Sequence, residues 1–392
     1  MRVLHVLEAV GGGTLRHVGD LVSALPVDSH VACPATRTSQ LSHPNAVGYL
    51  TSAGATVHSL EMSRSPKDLA NLRAVVRLRA LVAELEPDVV HAHSSVAGAV
   101  VRLAVGDRAP VVWTPNGINE VSWVSMVERR LRRRMDRMIS VSPSEAEVAV
   151  RLGLAYAEQV QVIFNGIPDH TPVTTRVREE IGIPQSAKVL GFVGRFSEQK
   201  DPVTFIKVAA RVLAEMPDTH VMCVGSGPMQ DEVLRAAAEL LPADRFHHVV
   251  RDAGAQELLQ AIDVLVSPSL YEGGPYLLLE AAQAGVPVVS TACIGSRDYV
   301  VPGLSGLLAP VGDDEGLASH AIGLLSDDGA RRRLGRAASA HVRLRHSLVG
   351  MARRHAELYL ELAPDAAVAE LLLEDSFLTA TALDEPVEIA AG

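Results

Sequence analysis

The sequence predicts an α/β protein built from two doubly wound domains, and three observations carry that prediction. Short Val/Ile-rich runs alternate with longer helical patterns along most of the chain, as in parallel sheets covered on both faces. A break rich in Pro and Gly at residues 168–184 interrupts the alternation once, and the pattern then restarts. Each half opens with a strand that runs into a glycine-containing loop. The 392 residues suit two domains better than one. Hydrophobic residues make up 48% of the chain and aromatic residues only 4%. Ala, Val and Leu therefore supply the apolar mass, which favours close-packed layers of helix on sheet.

Taken in order, strands are expected at 2–9, 30–34, 56–60, 89–93, 111–115, 138–142 and 160–164, with helices at 15–25, 69–84 and 144–152. After the break, strands at 188–194, 219–225, 245–250, 263–269 and 287–291 alternate with helical patterns at 202–215, 231–241 and 256–261 and a helix from Pro275. Residues 330–362 read as one long helical region with no strand after it. The remainder is Ala-rich and acidic, with a short helix at 367–373 and otherwise little order expected. The expected domains are 1–167 and 168–347, followed by a helix at 348–362 packing back on the first domain and a tail at 363–392.

The net charge of −10 is uneven. Residues 1–168 hold 17 Lys/Arg against 15 Asp/Glu, and the rest hold 19 against 31. An acidic chain makes a poor non-specific nucleic-acid binder. Cys33, Cys223 and Cys293 lie far apart without metal-ligand spacing and read as reduced thiols of a cytoplasmic protein. Residues 1–10 lack the apolar core of a signal peptide, and no apolar run approaches the ~18 residues needed to span a bilayer.

The most informative segment runs from Tyr271 through Glu272, Gly273, Gly274, Pro275, Tyr276 and Leu277 to Glu280. It places a strand end, a glycine loop and a helix start in succession, so backbone amides at the helix start can bind a phosphate. Glu280 is a carboxylate on a Leu/Ala-rich helix, where a solvated position is the ordinary alternative. Arg195 and Lys200 follow a second strand end. Two cations five residues apart can clamp a diphosphate and neutralise a departing phosphate, although surface charges at loops are common. Gly11, Gly12 and Gly13 after the first strand, and Gly225 and Gly227 in the second half, allow close backbone approach without forming a complete dinucleotide fingerprint. His91 and His93 share a strand face, but the sequence supplies no third ligand, which argues against zinc. Arg129, Arg130, Arg132, Arg133, Arg134 and Arg137 lie on an expected helix whose other face carries Val124, Val127, Leu131, Met135 and Met138. Such a basic face could meet anionic lipid or simply be solvated.

Together these motifs resemble the family-4 retaining glycosyltransferases over residues 1 to about 350. The resemblance includes the Gly11-Gly12-Gly13 loop, Val90-His91-Ala92-His93, Thr114-Pro115-Asn116-Gly117, Asn165-Gly166, Gly194-Arg195 with Lys200, Gly225-Ser226-Gly227-Pro228 and the E-x7-E segment from Glu272 to Glu280. It implies the GT-B fold, two Rossmann-like doubly wound domains facing each other across a cleft. It implies that Glu272, Gly274, Tyr276 and Leu277 face the donor sugar and phosphate, and that Glu280 bonds the donor ribose. Arg195 and Lys200 would hold the diphosphate, with Gly12 and Gly13 closing over it and Gly225 and Gly227 on the donor side. His91, His93 and Asn116 fall on the acceptor or sugar side. Many relatives carry His at the position of Asn116, and Asn cannot act as an acid or base near neutral pH.

The expected activity is transfer of a hexosyl group from an NDP-sugar, a UDP-sugar first among them, to a hydroxyl acceptor such as a polysaccharide, lipid-linked glycan or natural product. No cofactor is expected, and no Asp-x-Asp motif asks for a metal. The basic run allows peripheral contact with the inner membrane face. Two rivals stay open at this point: a sugar-nucleotide epimerase or related coupling enzyme, and a non-catalytic sugar-nucleotide or glycan-binding protein.

Overall fold

The computed structural model describes residues 1–35, 43–65, 68–118, 124–169, 175–250 and 255–364, with only the backbone at 124–127. Seven strands form one parallel sheet: β1 (Arg2–Leu7), β2 (Asp28–Cys33), β3 (Thr56–Ser59), β4 (Val89–His93), β5 (Val111–Thr114), β6 (Arg137–Ser140) and β7 (Val160–Val162). Their order is β3-β2-β1-β4-β5-β6-β7. Six more form a second parallel sheet: β8 (Val189–Val193), β9 (His220–Val224), β10 (Phe246–Val249), β11 (Val264–Ser267), β12 (Val288–Thr291) and β13 (Gly306–Ala309), in the order β10-β9-β8-β11-β12-β13. Both orders are doubly wound, with the first strand central and the direction of winding reversing beside it. The reversal falls between β1 and β4 in one sheet and between β8 and β11 in the other, and such points are where open α/β sheets bind ligands at their carboxyl ends. The central strands have buried side chains along nearly their whole length, as expected of strands covered on both faces.

The chain divides into one unit of Met1–Pro168 with His346–Gly392 and another of Asp169–Arg345. Ile167 donates its N–H to His346 O at 2.9 Å and accepts from Leu348 N–H at 3.0 Å, which stitches the returning chain to the first unit. Met351, Ala352, Ala356 and Tyr359 of the Leu348–Leu362 helix then join Val3, Leu21, Val89, Val112 and Ile139 in one core. In the second unit, Phe192, Phe196 and Phe205 pack with Val212, Val266 and Leu317.

Three expectations need correction. The basic run is not one helix. The Val124–Leu131 helix gives way to a 3-10 turn at Arg132–Arg134, and Arg137 opens β6. Asp136 forces this break by accepting Val111 N–H at its carboxylate, 2.8 Å, while its own N–H donates to Val111 O, so the chain turns into pairing with β5. The region 330–362 is two helices, Asp328–Arg345 and Leu348–Leu362, because Ser347 caps the second by accepting Gly350 N–H at 3.0 Å. The sequence reading also missed β13, four residues between turns. The expected helix at 367–373 and most of the acidic tail lie outside the described residues. No described helix is long and apolar enough to cross a membrane.

Candidate active site

In the second unit, the loops after β8 and β11 meet at the switch point. Lys200, on the 3-10 turn Glu198–Lys200, places Nζ 2.5 Å from Glu272 Oε1. Leu270 N–H donates to Gln199 O at 2.8 Å, and Gln199 Nε2 donates to Tyr271 O at 3.0 Å. The two loops are therefore fastened by backbone and by charge. Glu272 is 5% exposed and Glu280 8%, which removes the solvated alternative for Glu280. The helix Tyr276–Gln283 begins one residue after Pro275, which stands as the cap and not the first helical residue. Arg195 is exposed beside this loop pair.

The glycines of the second unit act on each other's loops. Gly225 has φ 137° and Gly227 φ 155°. A Cβ at Gly225 would lie 1.9 Å from Gly194 O, and one at Gly227 2.4 Å from Phe196 O. Gly194 N–H donates to Val224 O and Phe196 N–H to Ser226 O, at 3.0 and 2.9 Å. The close approach that these glycines permit is thus to the strand-end loop carrying Arg195. Sequence reasoning missed Gly295, which supports the glutamate loop. With φ 82°, it lies against that loop so closely that a Cβ would stand 2.5 Å from Gly273 O. Beside it, Glu272 N–H donates to Ile294 O at 2.9 Å. Its signal, a glycine after a strand end, was present but indistinguishable from an ordinary turn.

In the first unit, the helix Gly12–Ala24 starts at Gly12 with Gly11 as cap, and Gly12 and Gly13 are exposed. Its first turn carries no acid and no side-chain cap, so the helix start suits an anion. Asn116 follows β5 in a left-handed conformation, φ 57°. His91 and His93, expected on the acceptor or sugar side, are fully buried. His5 pairs in register with His91, so all three rings project from one face of the sheet, where His17 and His355 also pack. His91 bonds Tyr359 OH at 2.6 Å and Thr114 Oγ1 at 2.8 Å, and His5 Nδ1 lies 3.1 Å from His93 Nε2.

The sequence offered no third partner for His91 and His93; the structure supplies His5, with ligand atoms of the three within 4.8 Å of one another. A metal held by all three would have to displace a bond of His91, whose ring nitrogens are both engaged by Tyr359 OH and Thr114 Oγ1, while His5 Nε2 and His93 Nδ1 meet no partner among the described residues. The cluster reads as a buried polar layer. Burial first, and the neighbouring His355 second, lower His5 to about 3, and burial leads for His17, also lowered to about 3. Burial lowers His355 to about 4 and carries His91 and His93 well below their ordinary value.

Comparisons with known proteins agree with this layout. The family described as "Glycosyltransferase Family 4" matches residues 11–170, and "Glycosyl transferases group 1" matches residues 173–341. A D-inositol 3-phosphate glycosyltransferase of Corynebacterium urealyticum is 32% identical over 318 residues, 73% of this chain and 74% of that protein. The chain belongs to glycosyltransferase family 4. A glycogen synthase of Mycobacterium tuberculosis is 29% identical over 92% of this chain and 94% of its own length. Among solved structures, Anabaena HepE in complex with UDP and glucose superposes with a TM-score of 0.80 at 21% identity, covering 92% of this chain and all of that one. Sucrose-phosphate synthase from Thermosynechococcus elongatus gives 0.78 at 21%, covering 93% of this chain and all of its own. These likenesses make the fold GT-B. The protein is accordingly a glycosyltransferase with a nucleotide-sugar co-substrate, and the epimerase and non-catalytic readings are not favoured.

Proposed function

We propose that this glycosyltransferase is a retaining, metal-independent hexosyltransferase that draws on a UDP-sugar and delivers to a hydroxyl of a polysaccharide, lipid-linked glycan or natural product. The observation that carries the proposal is the fastened pair Lys200–Glu272 beside the Tyr276 helix start, at the switch point of the second sheet. In this reading Arg195 and Lys200 neutralise the diphosphate as the glycosidic C–O bond breaks. Amides near Gly274, Tyr276 and Leu277 take phosphate oxygens, Glu272 holds the sugar and Glu280 the ribose. Gly12, Gly13 and the Asn116 carboxamide complete the phosphate and sugar contacts. Gly225 and Gly227 serve the donor by shaping the Arg195 loop.

Retention follows if the acceptor hydroxyl attacks from the face that the diphosphate leaves. The hydroxyl proton then passes to the departing phosphate oxygen, so no side-chain base is required. UDP in the HepE complex and the inositol phosphate named for the Corynebacterium relative support a uridine donor and a polyol acceptor. The outward cations Arg129, Arg130, Arg133 and Arg134 remain exposed across the helix break and favour peripheral contact with an anionic inner membrane face of the cytoplasm.

A thermal-shift screen of UDP-, GDP- and dTDP-hexoses, followed by NMR of the product anomer, tests the reading. Stabilisation by GDP-sugars alone would reassign the donor, and an inverted anomer would remove retention.

A further inference from the structure

We propose that Glu145 is a positioning residue for transfer: it locks the left-handed turn at Asn116–Gly117 and thereby aims the Asn116 carboxamide at a sugar hydroxyl. The inference rests on the reading of Asn116 given above and names the group that makes that reading possible.

Asn116 and Gly117 are two consecutive residues of positive φ, 57° and 117°, at the carboxyl end of β5. Asn is among the few side chains that tolerate this region, and Asn-Gly suits such a pair, but its conformation is set by what its backbone groups bond. Glu145 supplies that partner. It is fully buried in the first turn of the Pro143–Arg151 helix, where Ser142 Oγ accepts its N–H. Its Oε1 accepts Gly117 N–H at 2.6 Å, and its Oε2 accepts Val141 N–H at 2.9 Å and Ser140 Oγ–H at 3.0 Å. An ionised carboxylate accepts at both oxygens, so it can join donors from the ends of β5 and β6 at once.

The turn so fastened holds Asn116 Nδ2 buried with no acceptor among the described residues. A fixed amide donor without an acceptor, at the end of a sheet where ligands bind, is arranged to receive an oxygen from a ligand. A sugar hydroxyl offers one.

Glu145→Gln separates positioning from bulk. The Gln oxygen is expected to face the two donors, Val141 and Ser140, which leaves its NH2 opposing Gly117 N–H and releases the turn. Hydrogen exchange at Gly117 should accelerate further in E145Q than in N116A, where Ala strains the left-handed turn but leaves the Glu145 bond to Gly117 in place. With the most active of the UDP-, GDP- and dTDP-hexoses as donor, E145Q and N116A should each lower kcat/KM by about tenfold. Nucleotide affinity should hold in both, and the double variant should be no worse than N116A alone.

S140A is the control: it removes one Glu145 bond without touching Gly117, and should leave kcat/KM close to wild type. If E145Q does not fold, Glu145→Asp, one methylene shorter, carries the same tests. Additive losses, unchanged exchange at Gly117, or an S140A defect equal to that of E145Q would each overturn the inference. A silent N116A with an impaired E145Q would do the same, by showing that Glu145 acts elsewhere. Should no nucleotide sugar turn over, the functional reading fails separately, and the exchange measurement still decides whether Glu145 holds the turn.

Discussion

Lys200 and Glu272 are bonded to each other before any donor arrives, so each sets the behaviour of the other. Glu272 keeps the ammonium at the switch point, and Lys200 partners a carboxylate with almost no access to water. Removing Lys200 therefore strands a buried charge and, in the proposed reading, also deletes a phosphate contact. We expect Lys200→Ala and Arg195→Ala each to weaken UDP binding by roughly 10- to 100-fold, the range of a charge-assisted hydrogen bond, with the larger effect at Lys200. Isothermal calorimetry with UDP decides, and unchanged affinity in both would leave the diphosphate without its proposed clamp.

Glu272→Gln instead releases Lys200 toward the diphosphate. Turnover should drop by about 100-fold while UDP affinity holds or tightens. Glu280 lies four residues past Tyr276, the start of its helix, about 6 Å along the axis at 1.5 Å per residue, so it stands apart from the Glu272 loop and in the proposed reading meets a different part of the donor. Glu280→Gln should raise the donor KM and weaken UDP by about tenfold. The opposite split, with Glu272→Gln losing UDP and Glu280→Gln keeping it, would mean the donor lies the other way.

At the scale of elements, the strand-end loops are held by glycines packed against backbone. Gly225 is the sharpest case, because a methyl group there meets Gly194 O at 1.9 Å and would adopt an unfavourable φ. Backbone cannot swing aside as a flexible side chain would. Gly225→Ala should cost about 1–3 kcal/mol by overpacking and displace the loop that carries Arg195. Urea unfolding and UDP calorimetry on this variant test both halves, and a stable protein of normal affinity would show that the loops move independently. Glu128 of the Val124–Leu131 helix faces the buried Arg102 at 4.0 Å, an ion pair without a hydrogen bond. Arg102 stacks 4.4 Å above Trp113, and its guanidinium is lowered to about 10 by burial, against the pull of Glu128.

Over the whole molecule, the five-histidine layer couples the first sheet to acid. His5, His17, His91, His93 and His355 are neutral in the folded state, with values lowered from 6.5, whereas unfolded histidines protonate near 6.5. The unfolded chain therefore binds more protons from about pH 6.5 down to the folded values, about 3 for His5 and His17 and about 4 for His355, with His91 and His93 also held well below 6.5. The stabilisation is full above 6.5 and is lost as pH falls through that window. Each histidine should cost roughly 1.3 kcal/mol between pH 7 and 5.5. Thermal melts across this range should show a steep loss, flattened in His17→Gln relative to wild type. A flat profile in wild type would mean the layer is open to protons. A second prediction at this scale concerns catalysis. Since the chain has no Asp-x-Asp motif, transfer should survive excess EDTA; loss of transfer reversed only by Mg²⁺ or Mn²⁺ would refute metal independence.

The sequence by itself determined the elements and the chemistry they could carry. Alternating apolar runs and helical periods are local properties, so most strands and the break between two sheets could be read directly. The Glu272–Glu280 spacing and the Arg195/Lys200 pair were legible for the same reason, being fixed by covalent distance along the chain. Tertiary structure decided the partners. It joined Lys200 to Glu272 across 72 residues and buried Glu280, and it pressed Gly225 and Gly295 onto neighbouring loops. It also gathered His5 of β1 with His91 and His93 of β4 and set Glu145 against Gly117. Such contacts depend on strand order and register, and these are settled by which faces bury together, a property of the packed whole that no local window of sequence contains.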